Sequence, residues 1–456
     1  MKKSIVFLLV CVQCLMAAAQ NNDSIVIKSI FSSALTSNAS YENLRHLCKE
    51  IGGRIGGSPQ AAKAVDWLHV ALKSAGADTV YLQELKVRNW KRGFKESCYA
   101  KSDKGGKKPM AVCALGGAMG TGKQGVAANI IEVQNFDQLK TLGEANIRGK
   151  IVFFNRPADP TLYNTFAAYG GAANQRVYGA SMAASYGAVA SISRSLTNIK
   201  HAYPHTGIMH YLDSLPKIPA FAISTVDADV LSAIVKNEPS TKVYLQSGCY
   251  EKLDTISHNV IAEIKGSEFP NEIIVVGGHI DAWELGEGAH DDGIGVVQAM
   301  DVLRIFKELN IKPRHTIRVV EFMDEEMAQR GGRKYEEILQ QTKEKHIAAI
   351  ESDEGGFTPQ GFAYDAGDSV GKRLEQWKPL LINYGLWLYN RGYSGVDISF
   401  MEKEKIPLFG LITDSQRYFD FQHAATDKFE AVNQRELQLG GASMAALIYL
   451  IDKYGF

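Results

Sequence analysis

The sequence carries no excess of charge: 50 lysines and arginines balance 50 aspartates and glutamates over 456 residues. No long-range field therefore favours nucleic acid or an anionic membrane surface. Beyond its N-terminus the chain also lacks any run of ~18 uninterrupted apolar residues, which excludes a membrane span there. Cysteine is scarce, six in all, and the four beyond the N-terminal apolar run have no metal-ligand spacing. Internal repeats and low-complexity tracts are absent. What remains is a globular chain suited to small neutral partners, and at this length a single core is expected to give way to two or more domains.

The N-terminus is the exception to the missing apolar runs. Met1-Lys2-Lys3 precedes the apolar stretch Ser4–Met16 and the small residues Ala17–Ala19, the pattern of an export signal removed after Ala19. Neither Cys11 nor Cys14 follows the small residue that a lipid-anchor site wants, so a soluble, periplasmic or secreted product is expected. Cleavage at 1–19 leaves Cys48, Cys98, Cys113 and Cys249 in a compartment that permits disulfides. Cys98 and Cys113 flank the Lys101–Lys108 turn and could pair across a hairpin; buried free thiols are the other reading.

Apolar residues recur every three or four positions in YENLRHLCKEI and QAAKAVDWLHVALKSAG, which predicts helices up to Ala75, closed by Gly76. From Thr79 to Val112 the period drops toward two and predicts strands. The glycine-rich stretch Gly116–Gly125 reads as a boundary, and 120–250, with its short alternating strands and helices, reads as an inserted domain. From Asn259 onward, NVIAEI, EIIVVGG, TIRVVEFM, HIAAIES and IPLFGLIT are buried-strand runs. They alternate with helices expected at Ile294–Leu309, around Arg373–Tyr389 and at Gln434–Lys453. The fold class is therefore α/β, a mixed, mostly parallel central sheet with helices on both faces, built from 20–119 and 251–456.

Ligands in such sheets bind beyond the carboxyl ends of the strands. His279 and Asp281 follow EIIVVGG, Asp324, Glu325 and Glu326 follow TIRVVEFM, Asp353 follows HIAAIES, and His423 follows IPLFGLIT. Asp291 opens the helix DDGIGVVQAMDVLRIFKEL, where free N–H groups and the helix dipole would hold a carboxylate. Taken singly, each is more often a polar strand end or a capping residue. Gathered at one edge, two imidazoles and three carboxylates without a thiol suit zinc, with cobalt or manganese as substitutes. Five side chains are too many for one catalytic ion and about right for two that share a carboxylate. One of the adjacent Glu325 and Glu326 can bind metal while its neighbour takes a proton from water.

The motifs GGHIDAW, GAHDDGIG, DEEMAQRGG, ESDEGG, SGVDISF and HAATDKFE, in that order, resemble the co-catalytic di-zinc exopeptidases, which include leucine-type aminopeptidases and glutamate carboxypeptidases. PHTG and PKIPAFAIS in the insert resemble the protease-associated domain of that family. The resemblance implies a zinc-exopeptidase fold, Asp291 bridging two Zn2+, His279 and Asp353 completing one site, and Glu326 and His423 the other. It further implies Glu325 as general base, Asp281 orienting His279 through its second ring nitrogen, and a homodimer with short peptides as substrates. Asp397 matches an acidic position near the site, with a buried structural carboxylate as the equal alternative. Tyr418 is a candidate substrate contact, or else an aromatic packing residue. His290 is read as a bystander, Asp324 as added negative charge that would raise the pKa of Glu325, and His201, His205 and His210 as solvated surface.

The expected function is an exported di-zinc metallo-exopeptidase that removes single residues from short peptides, dipeptides with free termini above all. An aminopeptidase on longer peptides is the alternative. A single-zinc glutaminyl cyclase is opposed by the full five-residue set and the insert, and a non-catalytic binding module by the absence of any lost ligand.

Overall fold

In the computed structural model of the chain the described residues are 22–342 and 344–456, so the expected signal segment and its cleavage site lie outside them. In chain order the strands are β1 (Thr79–Lys91), β2 (Ser97–Ser102), β3 (Gly106–Pro109), β4 (Val112–Ala114), β5 (Val126–Val133), β6 (Ile151–Phe154), β7 (Ala190–Arg194), β8 (Ala220–Ile223), β9 (Lys242–Gln246), β10 (Tyr250–Ile264), β11 (Phe269–His279), β12 (His315–Phe322), β13 (Lys345–Glu351), β14 (Pro359–Asp365), β15 (Leu388–Arg391) and β16 (Leu408–Thr413). They form two eight-stranded sheets, ordered β1-β10-β12-β11-β13-β16-β14-β15 and β3-β2-β9-β5-β6-β7-β8-β4.

The middle of the first sheet, β12-β11-β13-β16, is parallel throughout, and β1, β10 and β14 join antiparallel. Its strands are buried on both faces because their side chains alternate between two separate cores. Ile274, Val276, Ile317 and Val319 pack with Val296, Val297, Met300 and the C-terminal helix Gln434–Tyr454. Ile273, Val275, Val320 and Phe322 pack on the opposite face with Tyr335, Ile398 and Met401. Each fully buried side chain of this kind contributes roughly 1.5–3 kcal/mol, which holds the strand ends in register. Among the described residues, no helix is long and apolar enough to cross a membrane.

Helix Pro59–Ser74 forms where the periodicity requires it, with Ser58 capping through a 3.0 Å bond from Ala61 N–H and proline in the first turn. Three expectations need correction. The helix expected around Arg373–Tyr389 runs instead from Asp368 to Leu381, and Leu388 onward pairs with β14 as an edge strand. The second sheet begins at Ser97 rather than 120, because β2 pairs with β9 and β4 with β8. Gly116–Gly125 is thus a loop inside this unit. Finally, Cys98 and Cys113 sit on β2 and β4, with β9, β5, β6, β7 and β8 between them, and all four cysteines are free and buried. Burial pushes the Cys98 and Cys113 thiols up to about 12, which leaves them unreactive.

Candidate metal centre and active-site cavity

Where each parallel strand stops, a polar residue begins. β11 ends at His279, Glu325–Ala328 turns off the end of β12, and Asp353 lies just past β13. After β16 two short turns, Ser415–Arg417 and Tyr418–Phe421, carry the chain to His423. Parallel neighbours deliver these side chains to one edge. Asp291 returns to that edge through a tight loop in which Gly288 is left-handed, and a Cβ on Gly288 would lie 2.2 Å from the Ala282 methyl.

The structure brings the five expected side chains together. His279 Nε2 lies 3.2 Å from Asp291 Oδ1 and 3.4 Å from Asp353 Oδ1. His423 Nε2 lies 3.1 Å from Asp291 Oδ2 and 3.1 Å from Glu326 Oε2. Ligand atoms 2.0–2.1 Å from a tetrahedral zinc are ~3.3 Å apart, so these separations match those between ligands of one ion. Glu326 Oε1 is buried without any hydrogen-bond partner, and His279 Nε2, Asp291 Oδ2 and Asp353 Oδ1 are buried facing only one another or His423 at 3.1–3.4 Å. Such orphans are costly unless something completes them, and divalent cations fit this donor set. Asp292 also comes close to His279 and Asp353. Its two oxygens already accept from His279 N–H at 3.0 Å and Gly295 N–H at 2.9 Å.

The electrostatics agree. Burial disfavours charge on both imidazoles, yet Asp353 beside His279 and Glu326 beside His423, with Asp291 bonded to each, raise both rings well above their ordinary range. Burial pushes Glu326 up to about 7, whereas hydrogen bonds from His279 and His423 outweigh burial at Asp291 and hold it low. A cation bound here would compete with protons for the same donor atoms.

Several site residues behave differently from expectation. Asp291 does not cap the following helix; Asp292 does, while Asp427 accepts from the His290 and Asp291 N–H groups at 2.7 and 3.2 Å. The Asp281 carboxylate lies 3.8 Å from His279 Nδ1, outside hydrogen-bond reach. The second ring nitrogen of His279 meets the Asp281 backbone carbonyl at 2.9 Å, and Asp281 Oδ1 instead accepts from Asp324 and Glu325 N–H at 2.8 and 3.0 Å. The carboxylate thereby fixes the turn that carries Glu325. Asp397 is fully buried and does not line the cavity, because Glu351 accepts from the N–H groups of Val396 and Ile398 at 3.1 and 2.9 Å and draws that loop inward. Burial pushes Asp324 up to about 8, so near neutral pH it is mainly uncharged and adds little repulsion at Glu325. Glu325 itself is raised by burial and then by Glu326 and Asp353.

His205 is not solvated: its Nδ1 meets the Gln422 carbonyl at 2.7 Å and its Nε2 meets His201 at 2.8 Å. His290 stacks between Phe357 and Phe421 with centroids at 4.5 and 5.0 Å, and burial lowers its pKa from 6.5 to about 4. The folded ring stays neutral where the unfolded one takes a proton, so its contribution to stability is complete above pH 6.5 and is lost as pH falls toward 4. Unfolding free energies measured across this window should fall with acid, and His290→Asn should remove about 1.4 kcal/mol per pH unit from that slope.

The centre opens into a cavity of about 300 Å³ lined by Glu325, Glu326, Asp353, Tyr418 and His423 on one side and by Phe166, Tyr169, Arg176 and Ile208 of the second sheet's unit on the other. Tyr169 stacks on Phe419 at 4.5 Å and Phe166 on Tyr418 at 5.5 Å, so this roof rests directly on the loop that carries His423. The sequence alone did not point to Asp427, Glu351, Arg176 or Trp283, whose Nε1–H donates to Glu326 Oε2 at 2.5 Å. Trp283 lies inside GGHIDAW and was legible as part of that motif.

Comparison with known proteins agrees with this geometry. The profile described as Peptidase family M28 matches residues 259–448. Carboxypeptidase Q from Bos taurus is 31% identical over 428 residues, covering 94% of this chain and 88% of that protein. The crystal structure of a Peptidase M28 precursor from Shewanella amazonensis superposes with a TM-score of 0.90 at 32% identity, covering 95% of this chain and 97% of that one. A zinc aminopeptidase from Bacillus subtilis shares the fold, with a TM-score of 0.66 at 17% identity over 91% of this chain and 95% of its own. Strand order, converging polar residues and full-length similarity lead to one conclusion: the chain belongs to peptidase family M28.

Proposed function

We propose that this peptidase is an exported di-zinc exopeptidase that hydrolyses short peptides, dipeptides with free termini above all. The observation that carries the reading is the division of Asp291 between two centres, one oxygen toward His279 and the other toward His423. His279, Asp291 and Asp353 would hold one Zn2+, and Asp291, Glu326 and His423 the other. Bound there, the pair would supply Lewis acidity toward the scissile carbonyl and lower the pKa of a coordinated water. Glu325, which lines the cavity next to Glu326, accepts the proton of the attacking water and returns it to the leaving amine nitrogen. Tyr418 walls the site as a packed aromatic, 3% exposed and stacked on Phe166.

The unit built on the second sheet is read as a protease-associated domain that roofs the cleft. A cavity of about 300 Å³ stands at the low end of small-ligand sites and favours short peptides over long chains. Carboxypeptidase Q and the Shewanella peptidase support peptide substrates by what they are called. A homodimer is expected in solution.

The test is metal analysis of residues 20–456 coupled to turnover of one dipeptide, its N-blocked form and its C-amide. About two zinc ions per chain and hydrolysis of the dipeptide alone are expected. Rapid release of single residues from long peptides would favour the aminopeptidase reading, and a metal-free, inactive protein would overturn both.

A further inference from the structure

The segment Gly52-Gly53-Arg54-Ile55-Gly56-Gly57 supplies none of the expected ligands and lies outside the stretch that the M28 profile matches. It nevertheless packs against two stretches that lead to ligands. A Cβ on Gly53 would fall 2.5 Å from the Glu284 Cα, in the loop before Asp291, and one on Gly56 would fall 3.0 Å from Asp324 Oδ1, in the turn before Glu326. Ile55 shares an apolar cluster with Trp283, whose indole N–H donates to Glu326.

Arg54 anchors this contact. It is fully buried, and its three guanidinium nitrogens all donate to backbone carbonyls: Nε to Ile280 at 2.5 Å, Nη1 to Glu287 at 2.8 Å and Nη2 to Gly288 at 3.0 Å. Its own backbone N–H donates to the Ala282 carbonyl at 3.1 Å. Ile280 directly follows His279, and Gly288 lies three residues before Asp291, so one planar group clasps both ends of the loop that joins the two ligands. A Cβ on Gly288 would sit 2.9 Å from Arg54 Nη1, so the left-handed glycine also leaves room for the clasp. From the other end Asp427 holds the His290 and Asp291 N–H groups. A cation at this depth is costly, and burial opposes its charge, while the carboxylates of Asp427, Asp281 and Asp292 favour it.

We propose that Arg54 is a positioning residue of the dinuclear centre: by clasping the 280–288 loop it sets Asp291 where one carboxylate can serve two ions, and so governs whether both are held at once. The inference rests on the di-zinc reading above and assigns a group that touches neither metal nor substrate. Outer partners of this kind restrict ligand atoms to positions that suit the ion, and their loss costs about 10- to 100-fold in metal affinity. A lysine keeps the charge but, as a single point donor, cannot span three carbonyls at the two ends of a loop.

The experiment equilibrates the zinc-loaded wild type, Arg54→Lys and Arg54→Met against graded concentrations of a competing chelator. It also measures kcat, KM and the melting temperature with and without added zinc. The Kd of the weaker ion should rise about 10- to 100-fold in Arg54→Lys and further in Arg54→Met, with kcat falling in step and KM little changed. In the cobalt-substituted protein the magnetic coupling of two ions through a shared carboxylate should weaken in both variants. A merely structural role would lower the melting temperature equally with and without zinc and leave metal affinity, coupling and kcat of the folded enzyme unmoved. That result overturns the assignment, and if Arg54→Met does not fold, Arg54→Lys decides alone. A wild type that holds a single ion counts against the di-zinc reading alone, because the change in that ion's affinity still judges whether Arg54 positions Asp291. A wild type that holds none overturns both.

Discussion

Glu325→Gln should lower dipeptide turnover by about 10²- to 10⁴-fold while the zinc content stays at the wild-type level. The side chain lines the cavity beside Glu326 but belongs to neither cluster of closely spaced donors. Glutamine keeps its volume and cannot accept the proton of water. The backbone should not move, since Glu325 N–H is held by Asp281 and does not depend on the glutamate carboxylate. Burial, then Glu326 and Asp353, disfavours charge on this residue, and two dications nearby would reverse that balance. Turnover should therefore depend on metal loading before it depends on Glu325. Undiminished turnover with full metal would remove Glu325 from the mechanism, and loss of metal would reassign it as a ligand.

Asp291→Ala should abolish metal binding at both centres and reduce turnover to background. Each of its oxygens faces a different histidine, at 3.2 and 3.1 Å, so one substitution strips a donor from each shell. Neither remaining set is complete, and the carboxylates left at Glu326 and Asp353 would have to stay protonated in the dry site. Excess zinc should raise the melting temperature of the wild type, because ligand bound only by the folded state adds RT ln(1 + [L]/Kd). The same zinc should leave the variant where it was. Metal analysis and paired melting curves decide the matter: a variant that keeps two ions, or that zinc still stabilises fully, would show that Asp291 does not bridge.

Much of this site was legible because parallel topology turns sequence into position. A run such as EIIVVGG reads as a strand buried on both faces, and the residue where it stops is then assigned to the ligand edge without coordinates. His279, Glu326 and Asp353 were readable in that way. His423 lies ten residues past β16, beyond two short turns, and was reached through its motif as well. The roles of neighbouring carboxylates were not readable. Asp291 and Asp292 differ by one position, and backbone geometry made the second the helix cap. Asp281 follows His279 closely, and its carboxylate bonds the turn after β12, a partner more than forty residues away.

The sequence by itself determined the class of sheet, the edge on which chemistry could occur and the residue types gathered there, because those follow from periodicity and strand direction, which are local. Tertiary structure decided where the second sheet begins, that the cysteines stay apart, that Arg176 lines the cavity from the roof, and that His205 meets the loop carrying His423. Those outcomes depend on pairings such as β2 with β9 and β4 with β8, whose partners are distant in the chain and selected by shared burial, not by any pattern within either segment.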